Sequence, residues 1–233
     1  MTSILIAAVL FSAQADVPQY EVKRASARIT VDGNIDDAAW KKANTLELQF
    51  PWSTQTGAKQ KTIARLLWDD ENLYVAYECT DQDIVAHYDQ RDDPTYKDDA
   101  VEIFINPDPK QQFYYGLEMN AQATLYDYFY AFPQLLISRM NFTGVQLATN
   151  VRGTLNQTAD QDQGWTLELA IPWKNFTELT KTLPPSANSS WYVNLNRWDG
   201  TEPNRRLSVW SDPQLPQPSP HHPKRFGQIT FVK

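Results

Sequence analysis

One carboxylate in this chain sits where a strand's alternation sets it among small and aromatic neighbours. In the run Arg91-Asp92-Asp93-Pro94-Thr95-Tyr96-Lys97-Asp98-Asp99-Ala100-Val101-Glu102-Ile103-Phe104-Ile105, Val101, Ile103 and Ile105 share one face of a strand, while Ala100, Glu102 and Phe104 share the other. Tyr96 and Arg91 lie just upstream. A flat ring beside charged hydrogen-bonding groups has the chemistry of a sugar site, because a pyranose offers one apolar face and a rim of hydroxyls. Asn196 and Arg197 can serve the same hydroxyls. Trp198 and Trp210 stand at strand ends beside polar residues and can border such a site.

Other chemistries find less to work with. The histidines are His87, His221 and His222, and none belongs to a two-His helical motif, which argues against zinc catalysis. His221 and His222 fall in a proline-rich loop, where a surface role and a ligand contact both stay open. No Gly-x-Ser-x-Gly elbow occurs. Acid clusters at Asp69-Asp70-Glu71, Asp81-Gln82-Asp83, Asp92-Asp93 and Asp98-Asp99 offer the oxygens that calcium takes, but without EF-hand spacing they read first as solvated turn carboxylates. Metal ligands cannot be assigned from them. Paired acids also keep a glycoside hydrolase or lyase in view, as an alternative. A haem-binding redox sandwich needs axial His or Met, and Met119 and Met140 are the methionines beyond the leader.

These groups need a scaffold. Strand-like runs recur at Ile63–Trp68, Leu73–Thr80, Ala100–Asn106, Phe113–Asn120, Thr124–Tyr128, Val145–Arg152, Trp165–Ile171, Trp191–Trp198, Leu207–Trp210 and Gln228–Val232. Their spacing predicts an all-β, antiparallel β-sandwich. Asp69 to Asn72 forms a hairpin turn, and one short N-terminal helix is expected over Asp36–Ala43, capped by an Asp and burying Trp40. Trp68 and Trp165 also sit where burial is the better reading.

Residues 1–15 carry an apolar run, Ile4 to Ala13, that ends in Ala13-Gln14-Ala15, the pattern of a secretory signal peptide and too short to span a bilayer. Residues 16–233 are then expected to form a single domain, because the strands after the polar stretch Pro184–Ser190 are too few to fold alone. A secreted or periplasmic location follows. The net charge of −7 argues against nucleic acid as a partner. Cys79 is the one cysteine, which rules out an internal disulfide and reads as a buried, inert thiol. Sequons occur at Asn141, Asn156, Asn175 and Asn188.

Several landmarks come in a recognisable order: Ile29-Thr30-Val31-Asp32-Gly33-Asn34-Ile35-Asp36-Asp37-Ala38-Ala39-Trp40, Leu67-Trp68-Asp69-Asp70-Glu71-Asn72-Leu73-Tyr74-Val75, Asp98 to Phe104, Gly164-Trp165-Thr166-Leu167-Glu168-Leu169-Ala170-Ile171-Pro172-Trp173, and Lys224-Arg225-Phe226-Gly227-Gln228-Ile229-Thr230-Phe231. The series resembles the family 9 carbohydrate-binding modules (CBM9) across nearly the whole chain after residue 15. The resemblance implies a non-catalytic sandwich that binds a glycan or its terminal sugar, often as an accessory in polysaccharide degradation, with structural calcium. It also implies a sugar held between two tryptophans and helped by a Glu and an Arg. Tyr96 stands at the first tryptophan position, and Glu102 matches the Glu. Pro220, followed by His221 and His222, stands at the second tryptophan position, and Tyr115 at the Arg position. Trp210, His222 or Trp198 are candidates for the second wall. A site of this kind binds in the micromolar to millimolar range, about −4 to −8 kcal/mol.

Overall fold

A computed structural model describes residues 16–108, 110–131 and 140–233, together with the backbone of 135–138. The expected leader over 1–15 lies outside the described residues. The strands are β1 (Gln19–Arg24), β2 (Leu46–Glu47), β3 (Thr62–Trp68), β4 (Asn72–Thr80), β5 (Ala100–Asn106), β6 (Phe113–Asn120), β7 (Leu125–Ala131), β8 (Leu135–Ser138), β9 (Gln146–Arg152), β10 (Gly164–Pro172), β11 (Ser190–Asp199), β12 (Arg206–Val209) and β13 (Gly227–Val232). They pair in the order β8-β7-β6-β5-β11-β13-β1-β3-β4-β10-β9, with β12 beside β11 and β2 beside β3. Pairing is antiparallel except at β1, which runs parallel to both β13 and β3.

The sheet curls on itself, so that β5, β6 and β11 pack across a core from β3, β4 and β10. Val101, Ile103 and Ile105 of β5 are fully buried in one apolar cluster with Leu66, Val75, Leu167, Leu169 and Leu195. Each such side chain contributes about 1.5–3 kcal/mol by leaving water. The Tyr77 hydroxyl of β4 crosses the core and donates to the Glu102 carbonyl of β5 at 2.7 Å. Cys79 is buried there too, and burial pushes its thiol up to about 12, so the thiolate does not form near neutral pH. Trp40, Trp68 and Trp165 are all buried, as expected.

The short N-terminal helix does not form. Trp40–Lys42 makes only a 3-10 turn, and no side chain caps it. Asp37 is drawn elsewhere: its Oδ2 accepts the Thr30 N–H at 2.7 Å, and its carbonyl accepts the Trp40 N–H. So short a run gains too few hydrogen bonds to nucleate an α-helix. Trp40 is instead anchored by its indole N–H, which donates to Glu168 at 2.7 Å. The hairpin between β3 and β4 forms as expected, with Asp69 Oδ1 accepting the N–H groups of Glu71 and Asn72.

Candidate functional site

Strand β5 turns its second face away from this core. Register sets Glu102 between Glu118 of β6 and Asn196 of β11, and Phe104 between Gly116 and Asn194. Beyond β6, Tyr126, Tyr128 and Tyr130 of β7 stand opposite Glu118, Gly116 and Tyr114. Gly116 is what lets these strands close up. A Cβ there would lie 2.3 Å from Cζ of Tyr128, so only a residue without a side chain allows the Tyr128 ring to cross the strand. Thus placed, the Tyr128 hydroxyl donates to Glu118 Oε1 at 2.8 Å.

A hollow of about 250 Å³ opens over this face, its polar floor made by Glu102 and Glu118. Its rings are Tyr96, Tyr126, Tyr128, Tyr130, Trp198 and His221. That volume is below the roughly 300–1,000 Å³ of sites for drug-sized ligands and suits one small molecule. A larger hollow of about 620 Å³, beside Phe113, Phe129, Met140 and Leu179, carries its polar groups Asp108, Gln111 and Glu178 without such a floor of buried carboxyls. Chemistry therefore places the candidate site in the smaller one.

Tyr96 is the most exposed large aromatic of the described residues, at 40%. It rides on the turn Thr95–Lys97 with its ring 6.2 Å from that of Tyr126. Arg205 ties this platform to the rest of the site. Its guanidinium donates to the carbonyls of Gly200 at 2.6 Å, Asp98 at 2.8 Å and Tyr96, and lies 5.3 Å from the centre of the Trp198 ring. His221 stacks on Phe104 at 5.0 Å and on Tyr130 at 5.2 Å, with interplanar angles of 15° and 14°.

Burial sets the charges of the site. It raises Glu102 to about 7, against hydrogen bonds from Asn196 and Trp198 and the positive charge of Arg205, which pull the other way. Glu118 is pushed well above the ordinary carboxyl range, first by burial and then by the charge of Glu102. Burial lowers His221 to about 4 and leaves it a neutral ring. Tyr114, whose proton burial holds more tightly than usual, has its hydroxyl 2.6 Å from His221 Nδ1. The hydroxyl therefore donates, Nδ1 accepts, and Nε2 carries the ring hydrogen.

Tyr96, Glu102, Asn196 and Trp198 come together here. Asn196 is fully buried and donates to Glu102 Oε2 at 3.2 Å. Four other expected residues go elsewhere. Arg197 alternates with its neighbours onto the opposite face, where it is buried and donates to Asp81 at 2.7 Å and Asp199 at 2.8 Å. Arg91 grips both carboxylate oxygens of Asp127 at 2.8 and 2.7 Å and faces another hollow, beside Gln122 and Leu147. Trp210 packs against the main core, edge-on to Tyr20 at 6.4 Å and over Gly227. His222 has Nδ1 2.6 Å from the Pro213 carbonyl, and its neighbour His221 takes the place in the hollow.

Tyr115, at the position of the family's Arg, is fully buried on the core face against Phe129, Phe142 and Phe176. Sequence reading missed Arg205, Glu118, Tyr126, Tyr128 and Tyr130. Of these, the period-two tyrosines of β7 left a signal in the sequence, and so did Glu118, which alternates with Leu117 and Met119 as Glu102 does with Val101 and Ile103. Met119, a candidate haem ligand, is buried among the core side chains.

The acid clusters are not all solvated turns. Asp81, Asp99 and Asp199 are buried with oxygens within 4.8 Å of one another, a donor set of the kind calcium takes. Those oxygens are already engaged. Arg197 holds Asp81 and Asp199, Arg206 also binds Asp199 at 2.5 Å, and Asp99 accepts the N–H groups of Val85 and Gly200 at 2.7 and 2.6 Å. A divalent ion would have to displace Arg197, so the trio fits a resident calcium poorly. Burial and the neighbouring Asp81 and Asp199 raise Asp99 to about 7.

The model of the family described as carbohydrate family 9 binding domain-like matches residues 31–233. Endo-1,4-beta-xylanase A of Thermotoga neapolitana is 29% identical over 211 residues, which are 87% of this chain and 17% of that enzyme. Endo-1,4-beta-xylanase C of Paenibacillus barcinonensis is 30% identical over 212 residues, 88% of this chain and 16% of that enzyme. The chain thus spans about a sixth of the length of these curated relatives. Among solved structures, a protein from Bacteroides uniformis aligns with a TM-score of 0.75 at 16% identity, over 92% of this chain and 99% of its own. A family 9 module from Caldicellulosiruptor kristjanssonii in complex with cellotriose aligns with a TM-score of 0.63 at 17% identity, over 92% and 93%. These structures share the fold, and the family match extends across all the strands from β2 onward: the chain belongs to the carbohydrate family 9 binding domain-like family.

Proposed function

We propose that this chain is a secreted, non-catalytic module that binds an oligosaccharide or the end of a polysaccharide in the hollow over β5, β6, β7 and β11. The observation that carries this reading is the convergence of Tyr96, Trp198 and His221 on a buried floor of Glu102, Glu118 and Asn196. Rings take the apolar face of a pyranose, and the floor takes its hydroxyls. His221 and Trp198 supply aromatic surface that the family's second tryptophan, replaced here by Pro220, would otherwise provide. The C. kristjanssonii module, solved with cellotriose and with glucose, makes gluco-oligosaccharides the first ligands to try.

The two glutamates face the same side from neighbouring strands, so they make one floor instead of flanking a glycosidic bond. Titration calorimetry with cellotriose, xylotriose and a wider glycan panel tests the reading. Intact protein should bind in the micromolar to millimolar range without releasing reducing sugar, and Tyr96→Ala and Glu102→Ala should each weaken binding about tenfold or more. Unchanged affinity in both variants would overturn it. Calcium, an expectation from the family, is tested by repeating the titration with a chelator.

A further inference from the structure

The floor of the hollow has an unusual charge arrangement. Glu102 and Glu118 are Cα partners across β5 and β6, so their side chains start roughly 4.5–5.5 Å apart on one face. Both are buried, 1% and 4% exposed. Glu118 Oε2 and Asn196 Oδ1 are buried polar atoms with no hydrogen-bond partner, although Tyr128 and Glu102 satisfy the other ends of the same groups. A buried polar atom without a partner is costly, so the floor of the hollow holds acceptors whose demand its own side chains do not meet.

We propose that the Glu102–Glu118 pair is a charge filter, which holds one proton between two carboxyls, takes the adjacent hydroxyls of an uncharged sugar, and turns away uronic acids. This deepens the sugar-binding reading and rests on it. Two carboxylates so close in a buried floor do not both ionise near neutrality. The pair then offers one acid O–H as donor and one carboxylate as acceptor, matching two neighbouring hydroxyls of a pyranose. A uronic acid brings a further negative charge to a floor that already carries one. The other ionisable groups facing the pair do little to relieve this. Tyr96, Tyr114, Tyr126, Tyr128 and Tyr130 bring phenols, His221 is a neutral ring, and Arg205, whose N–H groups go to three carbonyls, offsets only part of the floor's charge, since burial keeps Glu102 raised in its presence. This one-proton state holds above about pH 7, where Glu102 has given up its proton and Glu118, raised further, keeps its own as the donor.

The test is calorimetry on the full chain with matched pairs: glucose against glucuronic acid, and galactose against galacturonic acid, each acid also as its uncharged methyl ester. At pH 8 the better-bound neutral sugar should exceed its uronic acid at least about tenfold, and the ester should recover to within about threefold. Discrimination against the uronic acid should grow between pH 6 and 8, as Glu102 takes on its charge. Glu102→Gln, which leaves the floor without that charge at any pH, should flatten the growth. A uronic acid that binds as well as its neutral partner, or an ester no better than its acid, overturns the filter and leaves the sugar site standing. No binding of cellotriose or of any glycan on the panel overturns both.

Discussion

Gly116→Ala puts the geometry of the site at risk in a way that can be worked from the structure. The added Cβ would meet Tyr128 at 2.3 Å from Cζ, 2.4 Å from Cε2 and 2.7 Å from the hydroxyl oxygen. Carbon atoms in contact rest about 3.5–4.0 Å apart, so the ring has to retreat by more than about 1 Å. It has little room to do so. Tyr128 is 1% exposed, sits edge-on to Phe104 at 6.3 Å and to Tyr130 at 6.4 Å, and holds Glu118 through its hydroxyl. Overpacking of this kind costs about 1–3 kcal/mol. Losing the hydroxyl's bond to a buried carboxyl adds about 1–2 kcal/mol. Together these amount to about 2–5 kcal/mol, a fall in Tm of roughly 4–20 °C for a chain of this size. The assay is a double-mutant cycle by chemical denaturation. Tyr128→Ala clears the space above residue 116, so the pair Gly116→Ala and Tyr128→Ala should be hardly less stable than Tyr128→Ala alone. Costs that simply add, to within about 0.5 kcal/mol, would refute the clash.

Further outcomes follow from other residues of the structure. Arg205→Ala, by freeing the Tyr96 turn from Trp198, should weaken cellotriose binding about tenfold, and Arg205→Lys should recover only part of it because lysine lacks the planar fork; equal affinity in all three proteins would deny Arg205 this positioning role. Glu102 is held at about 7 in the folded chain against 4.5 when free, a raised pKa whose stabilisation is present below pH 4.5 and is lost as pH climbs through 7. His221, lowered to about 4, works in the opposite sense below pH 6.5, so the comparison has to be made between proteins. Glu102→Gln should gain up to about 3 kcal/mol on the wild type between pH 4 and pH 8, by denaturant midpoint, and a constant difference would contradict the burial argument. Arg197→Met removes the cation between Asp81 and Asp199 and should cost about 3–5 kcal/mol. A loss under about 1 kcal/mol would show that Asp81 and Asp199 do not depend on Arg197 for their burial.

Alternation explains both what could be read from the sequence and what could not. Val101, Ile103 and Ile105 announced the core face of β5, and Glu102 and Phe104 the other, because a half-buried strand writes its two faces in alternate letters. The same rule, applied one residue further on β11, separates Arg197 from Asn196 and Trp198. Strand β1 went unread because only Tyr20 and Val22 of Gln19–Arg24 are apolar and its other residues are polar or charged. Strand β7 runs past the apolar run Thr124–Tyr128, and Tyr130 continues the stripe of Tyr126 and Tyr128. Arg205 and His221 come from loops, whose placement depends on contacts far along the chain and leaves no period in the sequence.

Strand β1 also bears on how the protein reaches this state. It shares five paired positions with β13 and two with β3, and it joins the half of the sheet that carries the hollow to the half that backs it. Its main partner lies about two hundred residues downstream, so the entropy of closing that span is lost before the contact returns anything. During synthesis β1 must wait, unpaired on its β13 side, until almost all the other strands have been made. Folding should therefore be slow for the size of the chain, and completion of the sheet should depend on the last strand to emerge.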